Sequence, residues 1–197
     1  MALTPTFRPG TAADAGDLAI LFDAATRRQV SWFWGLNAQP GQSWFEVGRE
    51  RIRNSTGSDS HYSKWQVATL AGETVGALCT HRIADPYDPG DLNGVPQAVL
   101  PFIELEGVAV GTYNVFVASV FPEYRGKGIG HHILEKAAEL ARQEGATRLS
   151  LIVESFNPDA HRLYRRYGFR DWERRPFIAF TGSEDEGELI LMVKDLA

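Results

Sequence analysis

Glycines at positions 126, 128 and 130, set between a run that reads as a strand and a run that reads as a helix, constrain this chain more than any other feature. Upstream, Tyr113–Val120 is β-branched and aromatic, the composition of a strand. Downstream, Ile129, Ile133, Ala137 and Leu140 recur at helical spacing to about Glu144, and Gly145 marks the stop. Glycines in such a junction let the backbone turn tightly and leave no Cβ between its N–H groups and a ligand. Those N–H groups stand at a helix N-terminus, where unpaired donors and the helix dipole favour a phosphate. Arg125 and Lys127 add positive charge to the same rim.

The remaining elements fall around this junction. Thr6–Arg8 reads as a first strand, Ala13–Ala25 as a helix opened by Thr11 and Asp14, and Trp44–Arg53 as a second helix. Between the helices, Arg27–Gly41 is aromatic and punctuated by glycine. Trp65–Leu70 and Thr74–Ile83 read as strands joined at Gly72. The proline- and glycine-rich stretch Asp85–Pro96 is a loop by its turn chemistry. Phe102–Glu106 alternates apolar and acidic residues, which puts Glu104 and Glu106 on one face of an extended segment. Leu149–Val153 is a short buried strand, Asn157–Tyr167 a helix closed by Gly168, and Phe177–Phe180 and Glu188–Lys194 are two final strands. No repeat or linker interrupts the 197 residues, so a single α/β domain over 1–197 is expected.

Three phosphate-binding patterns compete for the loop. A Walker loop needs G-x-x-x-x-G-K-[ST], a spacing the chain lacks, and a dinucleotide fingerprint needs G-x-G-x-x-G after the first strand. The pattern that fits throughout is Phe121-Pro-Glu-Tyr-Arg-Gly-Lys-Gly-Ile-Gly130 after a strand. It resembles the acetyl-CoA signature of the GCN5-related N-acetyltransferase (GNAT) superfamily. Downstream, Asn157-Pro-Asp-Ala160-His-Arg-Leu163-Tyr164-Arg-Arg-Tyr167-Gly168-Phe169 is similar to the family's second motif, N-x-x-A-x-x-L-Y-x-x-x-G-F. Together the two matches cover about residues 113–169.

That resemblance implies a single mixed, mostly antiparallel central sheet of six to seven strands flanked by helices, with a splayed strand pair at the acyl-CoA site. It implies acetyl-CoA as co-substrate, held by the backbone of Ala118, Ser119 and Val120 along the pantetheine arm. The amides of Arg125, Gly126, Lys127, Gly128, Ile129 and Gly130 would hold the pyrophosphate. Asn157 would cap its helix and reach the arm. Tyr164 matches the family's general acid, which protonates the departing thiolate; packing on an amphipathic helix is the competing role. Direct transfer to a primary amine of a small molecule or peptide is the implied reaction, and a non-catalytic acyl-CoA-binding module is the alternative.

An amine is protonated at neutral pH and must lose a proton before it attacks. Glu104 and Glu106 are the candidate bases, acting through water, and an exposed acidic strand edge reads the same way. Where many relatives carry a carboxylate, five residues before Asn157, this chain has Ile152, and Glu154, two residues further on, is expected to face another way. The acceptor side would be built from about residues 11–56 and 84–106. There Trp32, Phe33, Trp34, Trp44 and Phe45 either roof the acceptor or, more simply, pack the first two helices.

Composition narrows the partners. Net charge is −5, with Lys+Arg 20 against Asp+Glu 25, and no basic stripe suggests nucleic acid. No run of about 18 apolar residues suggests a membrane span. Isolated histidines at 61, 81 and 161, and the pair His131-His132, lack further ligands at metal spacing. The one cysteine, Cys79, in an apolar run, points to a reducing compartment, and Met1–Pro9 lacks a signal-peptide pattern, so the cytoplasm is expected. Nothing in the sequence settles oligomeric state; a homodimer is compatible with it.

Overall fold

A computed structural model describes residues 3–196. Seven strands form one sheet in the order β1-β2-β3-β4-β5-β7-β6. The strands are β1 (Thr6–Pro9), β2 (Trp65–Leu70), β3 (Glu73–Arg82), β4 (Tyr113–Val120), β5 (Arg148–Glu154), β6 (Arg170–Pro176) and β7 (Glu188–Asp195). The helices are α1 (Ala15–Ala25), α2 (Gln29–Gly35), α3 (Trp44–Asn54), α4 (Leu100–Val108), α5 (Ile129–Gln143) and α6 (Pro158–Tyr167). Pairing is antiparallel for β1–β2, β2–β3, β5–β7 and β6–β7, and parallel for β4–β5. This is the mixed, mostly antiparallel sheet expected, with seven strands.

The chain packs as two compact units. One holds the chain up to Thr80 with Val117–Lys136; the other holds His81–Phe116 and the chain from Ala137. In the first, α1, α2 and α3 pack on one another. Phe22 sets its ring edge-on to Trp34 at 5.7 Å and to Trp65 at 5.9 Å, and Trp44 stacks on Trp34 at 6.3 Å. Trp34 is buried in this packing, whereas Trp44 stays exposed and Trp32, Phe33 and Phe45 are half-buried. Helix α2 emerges from the segment read as glycine-punctuated. Its corner with α1 is made by Arg27 and Arg28 at φ 49° and 73°, left-handed positions that a glycine count cannot find.

In the second unit, Ile83, Leu105, Ala109, Leu189, Leu191 and Val193 form a core joined by Tyr87, Phe102, Ile152 and Phe177. Two expectations are corrected here. Residues 102–106 are helix, not extended chain. Pro101 opens the first turn of α4, and Pro101, Leu105 and Ala109, spaced by four, are the buried positions. Five alternating residues are too few to separate the two periods, and packing of α4 against β6 and β7 decides. The penultimate strand is β6 at Arg170–Pro176 rather than Phe177–Phe180. It is a sheet edge, exposed along most of its length and charged, so it carries no apolar alternation to read. Phe177 instead packs on Phe156 at 5.0 Å.

Candidate active site

The glycine loop lies in the first unit. Strand β4 buries Val117 and Ser119 and turns Ala118 and Val120 outward to half-buried positions. On the β3 side it meets Gly76, where a Cβ would come within 2.5 Å of the Ser119 carbonyl oxygen. The chain leaves β4 through a 3-10 turn at Pro122–Tyr124. Gly126 and Gly128 then stand at φ 71° and 89°, the left-handed region where only glycine is at ease. Gly130 lies inside α5, and Ile129 anchors its first turn in the core at 1% exposure. Two of the three glycines are thus required by backbone conformation. They deliver the chain into a helix in whose first turn His131 N donates to the Gly128 carbonyl at 3.0 Å.

The loop's charges are partly tied down. Arg125 Nε donates to the Val120 carbonyl at 3.0 Å, which pins the loop to the end of its own strand. Lys127 Nζ sits 5.3 Å over the Tyr124 ring, and the Tyr124 phenol is pushed up by its hydrogen bond to Glu73. Leu3 N donates to the Lys127 carbonyl at 2.9 Å, holding that peptide plane. His131 and His132 both approach Glu135, at 3.5 and 2.8 Å. Among the described residues, no three His, Cys, Asp or Glu side chains are grouped to hold a metal ion.

The other candidate residues lie in the second unit. Strands β4 and β5 pair at Tyr113–Leu149 and Asn114–Ser150, at the start of both strands. A buried polar clasp sits at that point: Thr112 Oγ1 and Ser150 Oγ are 2.7 Å apart, and Ser150 Oγ donates to Asn114 Oδ1 at 3.4 Å. Asn157 caps α6, its Oδ1 accepting from Ala160 N at 3.4 Å, and Gly168 closes the helix at φ 98°. Tyr164 sets its ring edge-on to Phe169 at 6.0 Å. Burial pushes its phenol well above the usual range, and the nearby Glu154 carboxylate pushes it further. Such a phenol stays protonated at any pH where an amine is acetylated.

The structure separates the proposed bases. On helix α4, residues two apart point in different directions, so Glu104 and Glu106 do not share a face. Glu104 is exposed and paired with Arg175 at 2.9 Å; Glu106 accepts from the Tyr87 hydroxyl at 2.9 Å. Glu154, set aside as facing away from Ile152, is the last residue of β5 and only 9% exposed. That expectation is corrected: residues two apart on a strand share a face, and Glu154 and Ile152 pair with Leu189 and Leu191 of β7. Around α6, Asp171 binds His161 at 3.0 Å and both Arg165 and Arg174 at 3.0 Å, which holds that carboxyl low despite its partial burial.

Comparison with known proteins supplies the context. Over 60 residues the chain is 40% identical to thialysine N-epsilon-acetyltransferase of Bos taurus, which covers 29% of this chain and 35% of that protein. It is 26% identical to mycothiol acetyltransferase of Beutenbergia cavernae over 86% of its own length and 65% of that protein's. The chain thus spans less than two thirds of these curated relatives. In fold it resembles an N-acetyltransferase of Staphylococcus aureus Mu50, at TM-score 0.65 and 16% identity, over 96% of this chain and 100% of that one. The model of the Acetyltransferase (GNAT) family matches residues 30–169, well over half of the sequence and both motif regions, so the chain belongs to that family.

Proposed function

We propose that this protein transfers an acetyl group from acetyl-CoA directly to a primary amine of a small molecule or peptide. The observation that carries the reading is the pair of left-handed glycines, Gly126 and Gly128, opening the first turn of α5 directly after β4. In this reading the amides of Arg125–Gly130 bind the pyrophosphate, and the backbone of Ala118, Ser119 and Val120 pairs with the pantetheine arm. Asn157 adds a polar contact from the head of α6. An amide near Val120 stabilises the oxyanion as the thioester carbonyl becomes tetrahedral. Tyr164, neutral and shielded, gives its proton to the departing sulfur. A single cysteine, Cys79, is what a reducing compartment favours, and in this reading the protein acts in the cytoplasm.

Relatives bearing the names thialysine and mycothiol acetyltransferase support an acceptor that is a small molecule with an amine. The test is thiol release from acetyl-CoA with thialysine, lysine, spermidine and an alanyl peptide in turn. At least one amine is expected to raise thiol release well above the rate with acetyl-CoA alone. Saturable CoA binding with no amine-dependent release would favour the non-catalytic acyl-CoA-binding module.

A further inference from the structure

We propose that the outer face of α3 docks a second copy of this chain, the two α3 helices lying antiparallel about a two-fold axis. The inference stands apart from the acetyl-transfer reading. One side of α3 faces the protein: Gly48 and Ile52 are buried there, and the Trp34 ring leaves no room for a Cβ at Gly48. The opposite side carries Glu46, Arg49, Glu50 and Arg53, all exposed. Their spacing, i, i+3, i+4 and i+7, is that of a helix–helix seam, but charges occupy it. Beside the stripe lies an open groove of about 380 Å³, whose remaining walls are Gln42 and Asn54. Polar groups alone line it, so its occupant carries charge.

The stripe is poorly arranged for a helix that stands alone. Residues four apart carry like charge, Glu46 with Glu50 and Arg49 with Arg53, a pattern that weakens an isolated helix. Residues three apart are opposite in sign, yet among the described residues the side chains of Arg49, Glu50 and Arg53 make no ion pair or hydrogen bond. Glu46 uses one carboxylate oxygen, Oε2, to accept from Ser43 N and Ser43 Oγ at 2.8 Å each. That capping box fixes its charge at the head of the helix and leaves Oε1 for another donor.

A second copy answers all four charges. The stripe alternates acid and base, so reversing it sets every acid opposite a base. An axis midway between Arg49 and Glu50 brings Glu46 to Arg53 of the partner subunit and Arg49 to Glu50 of the partner subunit, each contact made twice by symmetry. Parallel helices would instead bring like charges together. The stripe's own charges cancel, so a purely anionic or purely cationic partner meets repulsion from half of it. Arg51, also exposed, lies on another side of the helix and stays out of the contact. With 11 residues, α3 is about 16 Å long. One such helix pair covers less than the roughly 800 Å² per partner of a standard interface, so the dimer is weak and exchanges readily. Its charges set register and orientation more than affinity.

Sedimentation equilibrium of the intact protein, from micromolar to millimolar concentration, tests this. At low salt the wild type is expected to dimerise reversibly, with a Kd that rises about tenfold as salt goes from about 20 mM to about 500 mM. R49E and E50R each turn two attractive contacts into repulsive ones and are expected to weaken the dimer about tenfold. The double variant R49E/E50R restores opposite charges across the axis and is expected to return to the wild-type Kd. An equimolar mixture of the two single variants is also complementary and is expected to form a mixed dimer tighter than either variant forms alone. Circular dichroism checks that each exposed substitution leaves the fold intact. If either single variant misfolds, R53E, which faces Glu46 of the partner subunit, is expected to weaken the dimer in its place. A wild type that stays monomeric at every concentration overturns the proposal, as does a dimer whose Kd moves less than about twofold in the single variants. Single variants that weaken the dimer with no rescue in the double variant or the mixture overturn the antiparallel pairing.

Discussion

Replacing Gly126 by alanine separates a phosphate cradle from a glycine turn that merely joins strand to helix. At φ 71° a Cβ is strained, yet nothing lies within 4 Å of where it would sit. The folded protein should therefore lose only the left-handed penalty, about 1–2 kcal/mol, or roughly 2–4 °C in Tm per kcal/mol for a chain of this size. Gly145, at φ 66° with equally open space, supplies a matched control at the far end of α5. G145A should cost about as much stability and do nothing to ligand binding. The space beside Gly126 is where the pyrophosphate is proposed to lie, so the added methyl should weaken CoA by about tenfold, or about 1.4 kcal/mol. In a thermal-shift assay at a CoA concentration of about 100 Kd, ligand stabilises wild type and G145A by about 2.7 kcal/mol. The same concentration should stabilise G126A by only about 1.4 kcal/mol. Equal CoA-induced shifts in the two variants would refute the cradle.

Y164F should lower kcat about 100-fold with little change in the KM for acetyl-CoA; since the phenol is raised, wild-type kcat should show no alkaline fall from this group below about pH 10, and a limb near neutrality that vanishes in Y164F would contradict the assignment. S150A removes the fully buried hydroxyl between Thr112 and Asn114 and should cost about 1–3 kcal/mol, read as a lower urea midpoint at unchanged slope. Asp14, whose carboxyl the Arg8 guanidinium and Thr11 hold at about 2, contributes stability that is present above the unfolded value near 4 and lost as pH falls through about 2. D14N should therefore cost about 2 kcal/mol at pH 7, and its deficit should fade on acidification; a deficit constant between pH 6 and pH 2 would show that the ion pair is not its source.

The glycine turn and the capped helix of the second motif were legible in the sequence because their determinants are local. Positive φ at Gly126 and Gly128, an Asn cap at position 157 and a glycine stop at 168 are properties of a few neighbouring residues. Each is written in residue type at fixed spacing, so strand, loop and helix could be placed almost to the residue. The placement of the two candidate bases was not legible. Glu104 and Glu106 looked paired only under a strand period, and the turn of α4 sends them to Arg175 and Tyr87 instead. Strand β6 was shifted because an exposed edge has no apolar face to conserve a rhythm, and α2 was hidden because its corner is made by two arginines.

By itself, then, the sequence determined where a glycine turn stands, which helix follows it, and that a capped helix with a tyrosine in the second motif lies downstream. Only the tertiary structure decided that residues 100–108 coil into a helix against β6 and β7, and that this turn ties Glu104 to Arg175 and Glu106 to Tyr87. The division follows from range. Backbone conformation and capping depend on atoms a few bonds apart, whereas burial and the field at a titratable group depend on strands and helices that meet only once the chain has folded.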